Sequence, residues 1–478
     1  MKYLPSTLLI GAMALALQAQ TPAPKPTETP QPKPTGDPFV KDAAGGNAKA
    51  NGQRAENPEV VVVFDAYSLN RNDAASLLAT ETGSGARYRR VLEMEKAGKA
   101  HLQILTALDT KSGQRALTES IDEVRYATGF SWGNPLPTPE LWESRNVGDT
   151  FELEPVVGPD NRTCDLNFVP TRVTLAGFRD EAGAAGDPPT SHPVFHSQKI
   201  TTSVSAISGE PFYVGSMTPP PVVAAAQGAD SAEVWLAFIH STVKKFPPMV
   251  SNEPIPEGPL MTSLIYSCYS LDREAARDIL ISPSSIEAPW EKVQALLAGK
   301  KAQLEFVTSA RTKSGQREVV EEVQEVRYMA EYNPPSLTNS SETGVITDNK
   351  GETSNLTLSH TPSNARRDPG FGTKFDTRNA GITVEFEPVL REDGKRMDIN
   401  EVIQNVHFRG MLKVPGIGAN YQPQPLFQTS KIMTSQTVIS GRTEFVSTLN
   451  PPGADGVNDQ VDTGRTWLLF VHATADLP

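Results

Sequence analysis

Two kinds of hydrophobic spacing alternate along the chain, and the whole succession occurs twice. An unbroken apolar run, Val60 to Phe64, is followed by Ala-, Leu- and Glu-rich sequence reaching Lys96, and the same order returns from Leu264–Tyr266 to Leu297. Solid apolar runs of this length suit buried strands, and the segments behind them suit helices. Asn70 and Asn72, and Asp272 in the second half, stand where an N-cap is needed, because a short polar side chain can accept from an otherwise unsatisfied helical N–H. Period two then takes over. His101–Leu108 and Gln303–Thr308 lead into a Lys-Ser-Gly-Gln turn, and the strand after it ends at Glu-Val-Arg-Tyr, which predicts a hairpin with a polar tip in each half. Phe151 and Leu153 alternate with Thr150, Glu152 and Glu154, and Val384 and Phe386 with Thr383, Glu385 and Glu387, the pattern of a sheet with one wet face. Thr- and Ser-rich strands, Lys199–Ile207 and Lys431–Ile439, end at Ser-Gly turns, and Trp235–His240 and Trp467–His472 close the two halves. The pattern predicts an α+β fold, mostly antiparallel β, with a helical hairpin near the start of each repeat.

The repetition is specific to the residue. Tyr67-Ser68-Leu69 returns as Tyr269-Ser270-Leu271, Lys111 to Arg115 as Lys313 to Arg317, and Glu123 to Tyr126 as Glu325 to Tyr328, all at an offset of 202 (269 − 67, 313 − 111, 325 − 123). Gly148 to Val156 then matches Gly381 to Val389 at 233 (381 − 148), and Ser208-Gly209 and Trp235–His240 match Ser440-Gly441 and Trp467–His472 at 232 (440 − 208, 467 − 235). Colinear matches of this kind imply duplication of an entire domain. The expected organisation is a signal peptide over 1–19, a Pro/Ala/Gly-rich tether over 20–59, a first repeat over 60–246, a linker over 247–259, and a second repeat over 260–478 with an insertion near 336–370.

Length and composition support this division. A chain of 478 residues exceeds what one hydrophobic core usually serves. A net charge of −12, spread along the chain, leaves no electrostatic footprint for nucleic acid. Lys2 before the apolar stretch Leu8–Leu17 has the layout of a signal peptide, so the protein is expected to be exported. Nothing later is long and apolar enough for a spanning helix. The tether, with TPAPKPTETPQPKPTG at its start, should favour extended polyproline II. Cys164 and Cys268 fall at non-equivalent places in the two repeats, which weighs against a bridge although export would permit one.

The run of a helix ending Lys-Ala-Gly-Lys, a strand, a Gly-Gln turn and a strand ending Glu-Val-Arg-Tyr resembles the start of the conserved domain of secretins, the outer-membrane ring proteins of type II and III secretion and type IV pilus systems. The resemblance continues in order through Gly148–Pro155 and Gly381–Pro388, the Thr-rich strands Thr201–Gly209 and Met433–Gly441, and the closing strands at Trp235 and Trp467. It departs from that family in two places. No proline- and glycine-rich gate segment follows the glycine turns, and Gly129–Val147 is too short for two spanning hairpins of about nine to eleven residues per strand. The resemblance therefore implies a shared fold more than a shared activity. It implies a periplasmic or outer-membrane-associated structural or accessory protein, with protein subunits of an envelope apparatus, or copies of itself, as partners. The alternative is a cell-surface or periplasmic module that binds a carbohydrate or protein through its loops.

No chemistry competes with that reading. His192 and His196 have the i, i+4 spacing of helical metal ligands, but Pro193 between them excludes the helix and implies loop histidines. His240 and His472, at equivalent positions, end apolar strands with no carboxylate at ligand spacing. Glu152 with Glu154, and Glu385 with Glu387, put carboxylates roughly 6–7 Å apart on one strand face, which a solvated face produces equally well. No nucleophile elbow, zinc-protease motif or phosphate loop is present, so no enzyme, cofactor or metal is expected. Asn161, Asn339 and Asn355 match the glycosylation pattern, which is expected to be a coincidence if the chain is bacterial, as the resemblance implies. What remains are the repeat-equivalent turns: Lys111, Gly113, Gln114 and Arg115 with Lys313, Gly315, Gln316 and Arg317, and Gly209 with Gly441. Two basic tips could dock an acidic partner, or the glycines could simply permit the turns.

Overall fold

A computed structural model of the chain describes residues 58–132, 137–181, 190–219, 232–246, 260–281, 283, 285–333, 336–337, 340–347, 353–360, 367–368, 371–412, 423–453 and 464–476. The expected signal peptide, the linker and nearly all of the tether lie outside these residues. The first half runs β1 (Glu59–Asn70), α1 (Arg71–Thr80), α2 (Ser84–Lys96), β2 (Ala100–Lys111), β3 (Ala116–Trp132), β4 (Pro137–Val157), β5 (Thr163–Glu181), β6 (Thr190–Lys199), β7 (Thr202–Ile207), β8 (Pro211–Met217) and β9 (Glu233–Val243). The second half opens with β10 (Met261–Asp272), α3 (Arg273–Leu280), α4 (Ala288–Ala298), β11 (Ala302–Lys313) and β12 (Glu318–Asn333). Short strands β13 (Ser336–Leu337), β14 (Ser340–Thr347), β15 (Thr353–His360) and β16 (Arg367–Asp368) occupy the expected insertion, with β14 and β15 paired as a hairpin. The chain then completes β17 (Phe371–Leu390), β18 (Arg396–Leu412), β19 (Gln424–Ile439), β20 (Arg442–Leu449) and β21 (Arg465–Asp476). The fold is mostly antiparallel β, with a helical pair behind the first strand of each half, as the hydrophobic pattern predicts.

The unbroken apolar run of β1 has a simple cause: both of its faces are covered. Val61, Val63, Tyr67 and Leu69 share a core with Leu77 of α1 and Tyr88 and Val91 of α2. Val60, Val62 and Phe64 face the other way, onto Phe151 and Leu153 of β4 and Leu166 and Phe168 of β5. In the second half Leu264 and Tyr266 of β10 meet Val384, Phe386, Met397 and Ile399 in the same manner. The helices are too short to persist alone and are held by this packing. The starts of α1 and α3 are capped as expected, Asn70 Oδ1 accepting from Asn72 N at 3.0 Å and Asp272 Oδ1 from Ala275 N at 3.0 Å, whereas Asn72 lies within α1 and is the donor, not a cap.

Two sheets carry the architecture. The eight-stranded sheet has the order β11-β10-β21-β20-β2-β1-β9-β8, and the larger has the order β12-β17-β18-β19-β3-β4-β5-β6, with β7 also pairing β5. The expected β2–β3 and β11–β12 hairpins are not formed. β2 lies between β1 and β20 in one sheet, and β3 between β19 and β4 in the other. At Gly113 (φ 77°) and Gly315 (φ 78°) the Lys-Ser-Gly-Gln segment carries the chain across from sheet to sheet, each glycine N–H donating to a proline carbonyl, Pro155 or Pro388, at 2.6 and 2.7 Å. β3 and β12 also run past Glu-Val-Arg-Tyr to Trp132 and Asn333. The larger sheet coils tightly enough that strands three apart touch. Tyr126 of β3 reaches Phe195 of β6 at 5.7 Å between centroids, and Tyr328 of β12 reaches Phe427 of β19 at 5.9 Å. Cys164 and Cys268 are buried and unbridged, in separate cores.

Two positions test this packing. Gly148 (φ 136°) and Gly381 (φ 137°) lie under the neighbouring strand, where an added Cβ would land on the carbonyl oxygen of Ser120 or Glu322. Gly148→Ala and Gly381→Ala should each cost more than about 3 kcal/mol in denaturant unfolding, against about 1–2 kcal/mol for Gly113→Ala, where only the backbone conformation resists. Glu401 is a second case. Burial pushes its carboxyl up to about 7, despite hydrogen bonds from Tyr266 and Gln436. A carboxyl raised in the folded state binds its proton more tightly there, so stability should fall as pH rises from its unfolded range through 7, by up to about 3 kcal/mol. Glu401→Gln should flatten that slope in unfolding measured between pH 5 and 8.

Candidate functional site

The halves meet where β3 pairs with β19 and β2 with β20, and polar residues of both halves are linked across this junction. β3 and β19 register Leu117 with Met433 through Glu123 with Phe427, and Leu108 of β2 faces Ser447 of β20. Around this ladder one apolar core takes residues from both halves: Leu102, Leu105 and Ala107 with Ala276, Ile279, Leu280 and Phe445.

At the centre lies Lys244, just past β9, with its side chain 7% exposed. Its Nζ donates to Glu59 (2.6 Å) and Asp109 (2.7 Å) of its own half and to Glu444 (2.8 Å) of the other. The second oxygen of Glu59 accepts from Thr437 N at 2.6 Å, so the cluster also grips the backbone of β19. Burial alone would discharge the ammonium, but Asp109, Glu444 and Glu59 outweigh it and hold the lysine charged. Burial and the nearby Glu59 push Asp109 up, and burial likewise raises Glu444.

Further links cross the same seam. Arg277 of α3 donates to Glu95 of α2 at 2.5 Å and to the Tyr67 hydroxyl at 3.2 Å. Lys111 pairs with Asp398 at 2.8 Å. Burial opposes the charge on Asp398, yet Lys111 and Arg391 bring its carboxyl down to about 2. Arg378 of β17 donates to Glu123 of β3 and to Thr429 of β19, which itself donates to Glu123 at 2.8 Å. Arg409 pairs with Asp122 at 2.7 Å, and Asn450 donates to Asp149 at 2.8 Å. Glu119 faces Lys431 in the ladder: burial raises its carboxyl, and the lysine opposes the rise.

The turn residues singled out in the sequence divide between this seam and the surface. Gly209 (φ 86°) and Gly441 (φ 84°) make matching turns, their N–H groups donating to Ser241 and Ala473 at 2.8 Å. Arg115 pairs with Glu152, and Arg317 with Glu385. Gln114 and Gln316 are exposed. The two lysines differ: Lys111 is buried at the junction, while Lys313 is exposed.

The first pair of histidines is placed differently from the expectation, while His240 and His472 are hydrogen-bonded strand histidines, as expected. His192 and His196 lie in strand β6, not a loop, and Pro193 is accommodated because β6 is an edge strand. His240 is buried with Nε2 3.2 Å from Asp65, brought from β1 by strand pairing, and Asp65 also accepts from Tyr67 (2.8 Å) and Tyr88 (2.9 Å). His472 instead meets the Thr443 hydroxyl at 3.0 Å. Among the described residues no group of three or more His, Cys, Asp or Glu side chains is arranged to hold a metal ion, and no helix is long and apolar enough to cross a membrane.

No protein-family description and no curated protein matches the sequence. Among solved structures, the chain is similar to the type II secretin of enteropathogenic Escherichia coli (13% identity, 40% of this chain and 69% of that one, TM-score 0.20). It is also similar to the Klebsiella pneumoniae type II secretion system outer membrane complex (14% identity, 40% and 41%, TM-score 0.20) and to the secretin-domain β-barrel of the Salmonella SPI-1 injectisome (9%, 65% and 89%, TM-score 0.20). In the Klebsiella structure the match spans less than half of that chain. A TM-score of 0.20 marks a likeness too loose to carry a function.

Sequence reasoning missed Lys244 and its carboxylates because they are far apart in the chain. The available signal was local: Glu59, Asp109 and Glu444 each sit beside strongly apolar strand residues, where a charge needs a partner. Lys244→Met should therefore cost about 3–5 kcal/mol, since it strands three buried carboxylates. Urea unfolding should show part of that loss recovered as pH is lowered, because burial already pushes the Asp109 and Glu444 carboxyls up and favours their protonation.

Proposed function

We propose that the protein is a non-enzymatic structural or accessory component of an envelope apparatus for secretion or pilus assembly, exported and built from two copies of one secretin-like domain. Its partners are protein subunits. The observation that carries this reading is the use made of the buried polar groups: the ion pairs of Lys244, Arg277, Lys111 and Arg409 join one half of the chain to the other. An enzyme of this size would more often direct such groups into a cleft. Duplication is supported by matched backbone detail, with bulges at Ala66/Tyr67 and Cys268/Tyr269 and left-handed glycines at 113 and 315 and at 209 and 441. The order of residues that resembles secretins runs through both halves.

Fractionation of the native envelope tests the reading. The protein should band with outer-membrane material on a density gradient, and crosslinking in cells should join it to other envelope proteins. A freely soluble protein that crosslinks to none, and that instead binds a glycan, would replace this reading with that of a ligand-binding module.

A further inference from the structure

The junction between the halves is head-to-tail, so it leaves two complementary surfaces uncovered. β2 and β3 of the first half are received by β20 and β19 of the second. The repeat-equivalents of β2 and β3 are β11 and β12, which form one edge of the two sheets, and those of β20 and β19 are β8 and the β6–β7 segment, at the opposite edge. We infer that these two edges pair between copies of this chain, in the register of the internal junction. The inference deepens the reading of the protein as a structural subunit and rests on it only for its biological setting.

Exposure is the first argument. Leu102 and Leu105 on β2 are 8% and 4% exposed, whereas their equivalents on β11, Leu304 and Val307, are 45% and 57% exposed. The positions stay apolar in both halves, yet only the first pair is covered. On β12, Val319 is likewise 49% exposed. Isolated apolar residues on a surface are ordinary, but three at positions whose counterparts lie in or beside a buried seam mark an interface.

Charge is the second argument. Across the internal seam Glu119 faces Lys431, Glu123 holds Arg378 and Thr429, and Lys111 holds Asp398. Shifting each residue by its repeat offset gives Glu321 with Lys199, Glu325 with Arg145 and Ser197, and Lys313 with Asp165. All seven of these side chains are exposed, and every sign is preserved. Elsewhere both members of a link change together: Asp122 and Arg409 become Gln324 and Ala176, and Lys244 and Glu444 become Asp476 and Phe212. An acidic edge on β12 could serve only to repel other strands. That purpose needs no basic counterpart at the matching positions of the far edge, and here Lys199 and Arg145 supply one.

The predicted ladder pairs Val319 with Thr201 through Glu325 with Phe195 of the next copy, and sets Ala310 of β11 against Gly215 of β8. It uses the part of β12 ahead of Tyr328, where the strand leans over the first half and Arg125 lies 5.0 Å above the tyrosine ring. Each added copy presents the same free edge again, so the series grows until it closes as a ring or extends as a filament.

Purified full-length protein in light scattering and sedimentation tests this. Wild type should form species heavier than the monomer with rising concentration. Glu321→Lys and Lys199→Glu should each weaken association on the order of tenfold or more. An equimolar mixture of the two variants, or the double variant E321K/K199E, should restore it, since each reversed edge then meets its complement. Both positions are exposed, and the melting curves should match wild type. A wild-type chain that stays monomeric at every concentration overturns the inference, as does association indifferent to both substitutions or unrescued by the mixture. Because the protein is purified, none of these results depends on where it resides in the envelope.

Discussion

A strand buried inside a sheet needs both of its edges paired, because an unpaired backbone N–H or C=O away from water costs about as much as a lost hydrogen bond. This constraint binds β3 most tightly. β4 satisfies one of its edges, and β19, from the other half of the chain, satisfies the second. β2 has the same dependence on β1 and β20. The two halves therefore cannot be stabilised one at a time: much of what is core in the first half becomes core through the second.

The polar groups follow from that arrangement. Once β19 and β20 close over β2 and β3, any charge on the seam is removed from water, and it is tolerated only where a partner arrives from the opposite side. Lys244 among Glu59, Asp109 and Glu444 is the densest example, and Arg277 between Glu95 and Tyr67 is another. The larger sheet then coils around this fixed line, bringing β3 into aromatic contact with β6 and β12 with β19.

Local structure was written plainly in the sequence. Val60–Phe64 lacks alternation because helices cover one face of β1 and β4–β5 the other, and Asn70 and Asp272 cap the helices they precede. The one-sided pattern at Phe151 and Leu153 likewise marks residues turned into the core. Long-range pairing was not readable. A Gly-containing turn between two strands has the same composition whether it folds the chain back as a hairpin or carries it to a second sheet, and the glycines at 113 and 315 do the latter. His240 shows the same limit, since the carboxylate beside it belongs to Asp65, on a neighbouring strand that is far away in the sequence. The repeat offsets carried more than the periodicity did. They bring the charged residues of the seam into correspondence with those of the free edges, although only the folded chain reveals which edges are covered.

Amide hydrogen exchange at low protein concentration probes the central claim directly, because the same strand occurs once with both edges paired and once at the margin of the sheet. Amides of Leu117–Glu123 on β3 should exchange only with global unfolding, while those of the equivalent segment Val319–Glu325 that do not bond to β17 should exchange orders of magnitude faster. Equal protection of the two segments in dilute monomer would contradict the account.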